Sequence, residues 1–415
     1  MRQIYMLLSL LIIFPMLNLQ QARSQEKKEN PFDMTFGGFV RYEAYYDTYK
    51  SIDTRDGNLL LYPKRPEYDP NGLDINKTGQ LEMASIQTRA KVLVTGPNAL
   101  GAKVSGYIET DFEGTSQNVV RTLRLRHAFL KMEWGSTRLM LGQYWHPLFV
   151  AENFPEVLAF GAALPIQPFS RAPQARINHK AGNFDFMLAA IIHGYNRTPG
   201  EYEAQRNAGI PDMQLQLKYK TDNVIAGATA GYKVLKPRLQ TGLGYKTDET
   251  VGSYNSQAFL KIITRSLIVK GQIVYGENLS SYTMLGAYGV ETGSRDIFDN
   301  YTYTNMNTVA GWIEIMSDYN TINYGFFAGY TANLGFSDAL EYTDTYQITA
   351  GRAADMASLI RISPRLTYDA GPLMLGVEYM YNLAEYGTDF DTYYKAVATE
   401  SSENSRFLFS ATYTF

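Results

Sequence analysis

Phe407-Leu408-Phe409-Ser410-Ala411-Thr412-Tyr413-Thr414-Phe415 is the stretch that decides the fold. Side chains alternate across a β-strand, so Phe407, Phe409, Ala411, Tyr413 and Phe415 share one face. Leu408, Ser410, Thr412 and Thr414 share the other. One face is apolar and aromatic; the other is mostly hydroxylic. A soluble sandwich would bury the aromatic face in a core. A transmembrane barrel turns it to lipid and turns the hydroxyls to a wet lumen.

The rest of the chain agrees. Met1-Arg2 precedes an apolar run from Ile4 to Leu19, and Ala22-Arg23-Ser24 offers small residues where a signal peptidase cuts. The terminal Phe415 looks like the C-terminal assembly signal of bacterial outer-membrane barrels. The expectation is a cleaved signal peptide over 1–24, a short periplasmic segment over 25–32 and a barrel over 33–415. Such a chain is exported through the periplasm to the outer membrane of a Gram-negative cell. No later stretch approaches the ~18 consecutive apolar residues of a transmembrane helix. Losing Arg2 and Arg23 lowers the formal net charge of −3 by two, and no basic run suggests nucleic acid. Cysteine is absent, which excludes a disulfide framework, a thiolate nucleophile and a cysteine metal site. The 32 tyrosines suit aromatic girdles at the bilayer interfaces. A mean hydropathy of −0.24 suits a wall of which half faces water.

Alternation and turn chemistry predict sixteen strands, at roughly 33–49, 79–95, 102–113, 119–134, 137–145, 174–181, 183–195, 211–221, 223–236, 253–264, 267–277, 308–318, 322–334, 357–369, 372–384 and 405–415. Tight turns such as Gly135-Ser136, Gly182-Asn183, Asp222-Asn223 and Ala370-Gly371 alternate with long irregular segments at 50–78, 146–173, 196–210, 237–252, 278–307, 335–356 and 385–404. An even count with both termini on the periplasmic side is what a bacterial barrel requires. The fold class is therefore all-β, a transmembrane antiparallel barrel. Phe184 to Ile192 is apolar on both faces and reads as a packed or contact-facing strand.

The parity opposite the apolar face defines a lumen rich in cations. Arg89, Lys91, Arg124, Arg126, Arg138, Arg176, Lys180, Arg361 and Arg365 point inward, against Glu109, Asp111 and Glu43. Two readings stay open: a salt-bridged wall that stiffens the barrel, or a basic wall that draws anions in. The excess of cations over acids on the strands between 79 and 181 favours the second. The segment from His146 to Pro173 is long and rich in proline, yet it carries Phe149, Phe154, Val157, Leu158, Phe160, Leu164, Ile166 and Phe169. So apolar a loop is expected to fold inside its own barrel. That would place Arg171 near Arg176, across from Glu152 or Glu156. A packing site on a neighbouring protomer is the other option.

Leu125-Arg126-His127-Ala128-Phe129-Leu130, Leu141-Gly142-Gln143-Tyr144-Trp145, Pro155-Glu156-Val157-Leu158-Ala159-Phe160 and Arg171-Ala172-Pro173-Gln174-Ala175-Arg176 resemble the DcaP-like porin family. The matched block spans about residues 120–195; elsewhere the likeness is architectural. The resemblance implies a sixteen-stranded homotrimer in outer-membrane lipid with an inward-folded third loop, passing small anionic or polar solutes. It implies a cationic constriction at Arg126, Arg171 and Arg176. The family's long N-terminal helical extension has no counterpart in 25–32. Two other classes are an adhesin or receptor barrel with a closed lumen, and a barrel lipid hydrolase. The four histidines His127, His146, His179 and His193 show neither ligand spacing nor a nearby serine motif, so no catalytic residue, cofactor or metal is expected.

Overall fold

A computed structural model describes residues 31–193, 201–317 and 321–415. The expected signal peptide over 1–24, and 25–30 of the segment after it, lie outside the described residues. β1 (Asp33–Asp47) is followed by a small hairpin, β2 (Ser51–Thr54) and β3 (Leu59–Pro63). β4 (Gln80–Ala84) and β5 (Arg89–Thr95) then form one wall strand, interrupted by a turn in which Thr88 N–H donates to the Ser85 carbonyl. The wall continues through β6 (Lys103–Asp111), β7 (Arg124–Trp134), β8 (Thr137–Trp145), β9 (Arg171–Ala181) and β10 (Phe184–Ile191). A short helix, α1 (Glu201–Ala208), precedes β11 (Asp212–Lys220), β12 (Val224–Leu235), β13 (Val251–Ile263) and β14 (Ile268–Glu277). The short β15 (Gly286–Val290) leads to β16 (Tyr303–Met316) and β17 (Ile322–Phe336). The short β18 (Ile348–Arg352), then β19 (Met356–Ala370), β20 (Leu373–Phe390) and β21 (Ala396–Thr414), complete the chain.

Successive wall strands pair antiparallel, and β1 closes the ring by pairing Val40 with Tyr413 on one side and Gly38 with Ala90 on the other. With β4 and β5 taken as one strand, the described residues form a closed sixteen-stranded barrel. The alternation at the C-terminus has its expected physical result. Phe407, Phe409 and Tyr413 lie exposed on the outside, while Leu408 and Ser410 are buried inside. β10 resolves in the same way: Phe184, Phe186 and Leu188 face out, and Met187, Ala189 and Ile191 pack inward with Ala172. An apolar groove lined by Tyr46, Leu81, Leu366, Val377, Phe407 and Phe409 lies on this outer wall.

Several expectations need correction: of the segments expected to be irregular, 196–210 holds α1, 278–307 holds β15 and the start of β16, and 335–356 holds β18. The segment 50–78 is not wholly irregular, because β2 and β3 pair within it. The segment 385–404 is mostly strand: β20 and β21 stay paired out to Phe390 and Ala396, raising the wall there well above the tight turns. The strand over 79–95 is broken between Ala84 and Arg89.

The lumen holds an apolar core. Leu59, Leu61 and Tyr62 of β3 and Leu148, Phe160, Leu164, Ile166 and Phe169 of the connection between β8 and β9 cluster with inward wall residues Val274, Trp312, Phe327 and Leu359. Leu279, Tyr282 and Leu285, between β14 and β15, join the same cluster. Leu60 points the other way, into a second cluster with Tyr45, Leu158, Met380 and Leu408. Burying one such side chain is worth roughly 1.5–3 kcal/mol, so the inward segments are held by many small increments. Ile166 is fully buried in this cluster. Ile166→Ala should therefore cost about 2–5 kcal/mol of unfolding free energy in a urea titration of the refolded barrel, while the far-UV spectrum remains that of a strand protein.

Candidate functional site

The functional space is what the inward segments leave open. Backbone bonds hold the ends of the segment over 146–170: His146 N–H donates to the Ser170 carbonyl, joining the two ends, and Phe169 N–H donates to the Tyr282 carbonyl in the connection between β14 and β15. Along its length, wall carboxylates receive its amides. Glu314 accepts Glu156 N–H, and Glu378 accepts the N–H groups of Leu158 and Ala159. Arg361 donates to the Leu164 carbonyl at 2.7 Å, the Leu61 carbonyl at 2.8 Å and Asn382 at 2.6 Å, binding segment, hairpin and wall together. Arg365 pairs with Glu314 at 2.6 Å. These two arginines serve as struts for the inward segments.

Arg124 and Arg126 lie on the inner wall but are fully engaged. Arg124 makes a two-pronged bond to Asp111, and Arg126 reaches Glu109 at 2.7 Å and Asp111 at 2.9 Å. Arg89 adds a contact to Glu109 at 3.6 Å. Arg171, the first residue of β9, is buried with its guanidinium 4.7 Å from the Trp145 ring centre. Arg176 donates to the Trp145 carbonyl and stands 5.4 Å from the Tyr144 ring centre. The acids expected opposite Arg171 and Arg176 sit elsewhere. Glu152 binds Lys218 and Lys220 on β11, and Glu156 binds Lys270 on β14. The reason is reach: the segment runs inside the barrel past β11 toward β14, so its acids meet lysines of those strands, although Glu152 still lines the same cavity as Arg176. Parity already places Lys218 and Lys220 inside, but nothing in the sequence pairs them with Glu152. Lys91 and Lys180 are exposed near the tight turns, and Arg138 lies 3.8 Å from Asp185.

Two cavities lined by described residues lie on the β1–β11 side of the lumen. One, of about 550 Å³, opens toward the turn end and is lined by Lys131, Arg138, Arg176, Lys180, Lys218, Lys220, Glu152 and Asp185. The other, of about 460 Å³, lies between the inward segment and the wall, lined by Arg41, Arg89, Arg126, Glu109, Phe154 and Phe160. Gly142 shapes the wall between them. Its φ of 134° belongs to glycine, and a Cβ there would lie 2.3 Å from the Ala128 carbonyl oxygen. That close approach brings the Phe129 and Tyr144 rings edge to face at 5.2 Å.

A further cluster was not legible from the sequence. His146 and His193 both place Nε2 on the same Asp212 oxygen, at 3.2 and 2.7 Å, and the Tyr282 hydroxyl donates to it at 2.9 Å. Gln214 donates to the other oxygen at 2.6 Å. His146, His193 and Asp212 are the one group of metal-capable side chains among the described residues. Leu148 N–H donates to His146 Nδ1, which puts the ring hydrogen on Nε2, aimed at Asp212. A metal on that Nε2 would require the hydrogen to move to Nδ1, against the Leu148 amide. The group is therefore a proton-filled junction that fixes the base of the inward segment. Burial pushes the His146 imidazole down to about 4, with Asp212 acting in the opposite direction.

The fold matches solved outer-membrane barrels. The outer membrane channel DcaP of Acinetobacter baumannii superposes with a TM-score of 0.67 at 17% identity, over 92% of this chain and 97% of that one. OmpT of Vibrio cholerae gives 0.55 at 12%, over 94% and 99%. The anion-selective porin from Comamonas acidovorans gives 0.55 at 8%, over 92% and 100%. No family model matches the sequence, and no curated protein does. The chain thus shares the fold that the resemblance implied.

Burial alone would raise the Glu152 carboxyl, but the ammonium groups of Lys218 and Lys220 outweigh it and hold the carboxyl below its ordinary range. A depressed carboxyl stabilises the folded contact above its unfolded value, and that contribution is lost as the pH falls through the folded value. The stability of the refolded barrel in a urea titration should therefore stay flat from about pH 7 to about pH 5 and fall below pH ~4, where the ordinary glutamate range begins to be passed. Glu152→Gln should lose that contribution already at neutral pH, read in the same titration.

Proposed function

We propose that this chain is an outer-membrane porin that lets small hydrophilic solutes diffuse passively, with a preference for anions. The observation that carries this reading is the basic cavity at the turn end. Lys131, Arg138, Arg176, Lys180, Lys218 and Lys220 line it, against the acids Glu152 and Asp185. A confined space lined mainly by one sign of charge raises the local concentration of counter-ions. The sixteen-stranded wall, the apolar outer face and the shared fold with outer-membrane channels support a place in outer-membrane lipid. A trimer fits the same reading, as does removal of 1–24 during export.

The ion pairs shift the expected origin of the preference. Arg124 and Arg126 are matched locally by Asp111 and Glu109, so their field in the lumen is largely cancelled. Lys180 faces open space, and Arg138 and Lys131 line the same cavity with looser partners, Asp185 at 3.8 Å and Glu133 at 3.4 Å; these three carry the selectivity. One observation favours the receptor-barrel alternative, in which the lumen is closed: the apolar core formed by β3 and the inward segment fills much of the barrel. Conductance separates the two readings.

Single-channel recording in a salt gradient tests the proposal. The refolded mature chain should open steady channels whose reversal potential reports anion preference. Arg138→Glu with Lys180→Glu should move that potential toward cations, more strongly at low salt, because the field is screened over ~10 Å at 0.1 M. Arg124→Gln with Arg126→Gln should move it less. Silent bilayers at high protein load would favour the closed barrel.

A further inference from the structure

The two cavities are lined by different side chains except at one place. Phe129, Tyr144 and Phe149 border both. Two of these rings belong to the wall, where Tyr107 stacks on Phe129 at 5.2 Å and Phe129 meets Tyr144 at the same distance. The third belongs to the inward segment: Phe149 stacks on Trp145, the last residue of β8, at 3.8 Å and on Phe154 at 5.3 Å. The wall rings and the segment ring thus come together along the border that the two cavities share. A solute moving between the cavities passes these rings.

We propose that Phe129, Tyr144 and Phe149 form an aromatic collar that sets the selectivity of the passage, favouring anions with an apolar portion over small hydrated anions of equal charge. This rests on the porin reading above. Ring faces offer no hydrogen bonds to replace a hydration shell, so a small ion sheds water there without compensation. An alkyl group loses only unfavourable contact with water, and it gains contact with the rings. The basic cavity at the turn end gathers anions; the collar then sorts them by what the charge is attached to. The charged wall cannot make that distinction.

The test uses the full-length mature barrel in planar bilayers, with chloride, acetate and butyrate as probe anions under bi-ionic conditions. The parent should pass butyrate about as readily as acetate despite its greater size. Tyr144→Ala and Phe149→Ala should raise chloride conductance about threefold and lower the butyrate-to-acetate permeability ratio by a similar factor. Phe149 belongs to the inner core, so folding is checked by heat-modifiable gel mobility. If Phe149→Ala does not fold, Tyr144→Ala and Phe129→Leu on the half-buried wall positions carry the test. A conducting parent whose folded variants keep its conductance and its permeability ratio would overturn the collar and leave the porin reading intact. A parent that is silent along with every variant would overturn the porin reading itself. A silent parent opened by Phe149→Ala would overturn the collar as a selector, because the parent passes nothing, and would favour the closed barrel.

Discussion

The backbone ladder between the first and last strands is the constraint on which everything else depends. Arg41 pairs with Thr412 and Glu43 with Ser410, so the sheet has no free edge in the wall. In lipid an unpaired peptide group has no water to turn to, and closure is the only arrangement of strands that removes the cost. Closure also fixes which face is which. Once the seam is made, every second side chain is committed to lipid and its neighbours to the interior. The inward segments then meet a wall whose polarity is already decided.

That alternation is why the barrel was legible in the sequence. A period of two, tight turns and an even strand count are local signals, and each survives without knowledge of the three-dimensional arrangement. The inward direction of Arg124, Arg176 and Arg361 followed from the same parity. Partnerships did not. Glu152 meets Lys218 because a connection whose path the sequence does not give folds inside the barrel past β11, and Asp212 meets His146 and His193 because three separate strand ends converge at one rim. The run Leu59-Leu60-Leu61-Tyr62 was a usable clue to the inner hairpin. Four apolar residues in a row inside an outer loop have no place in water, and they are used on both faces, Leu59 and Leu61 on one cluster and Leu60 on the other. The strand extension over 385–404 was obscured by polar side chains, since a rim above the bilayer is wet on both faces.

Charge inside the barrel divides into two kinds. Some cations are structural: Arg361 holds carbonyls, Arg406 is matched by Asp47 at 2.7 Å, and Arg365 by Glu314. Removing one partner of such a buried pair leaves the other uncompensated, which is costly, although the intact pair adds little net stability. The others line open space and act at a distance on whatever enters. Counting lumen arginines therefore overstates the field, and the distinction rests on which carboxylates the neighbouring strands supply. β6 supplies Glu109 and Asp111, which neutralise the part of the wall that is densest in arginine.

The inner core has a consequence for how such a protein comes apart. A barrel with a wet lumen exposes little new apolar surface to water when its strands separate, because its greasy face leaves lipid or detergent rather than a dry interior. Here Leu164, Ile166, Phe327 and Leu359 are sheltered from water inside the cylinder, as in a globular protein. Melting must hydrate them, and hydrating apolar surface raises the heat capacity. The thermogram of this barrel should carry the curvature of a soluble domain. Its resistance to cold as well as heat would then be governed by the plug rather than by the membrane around it.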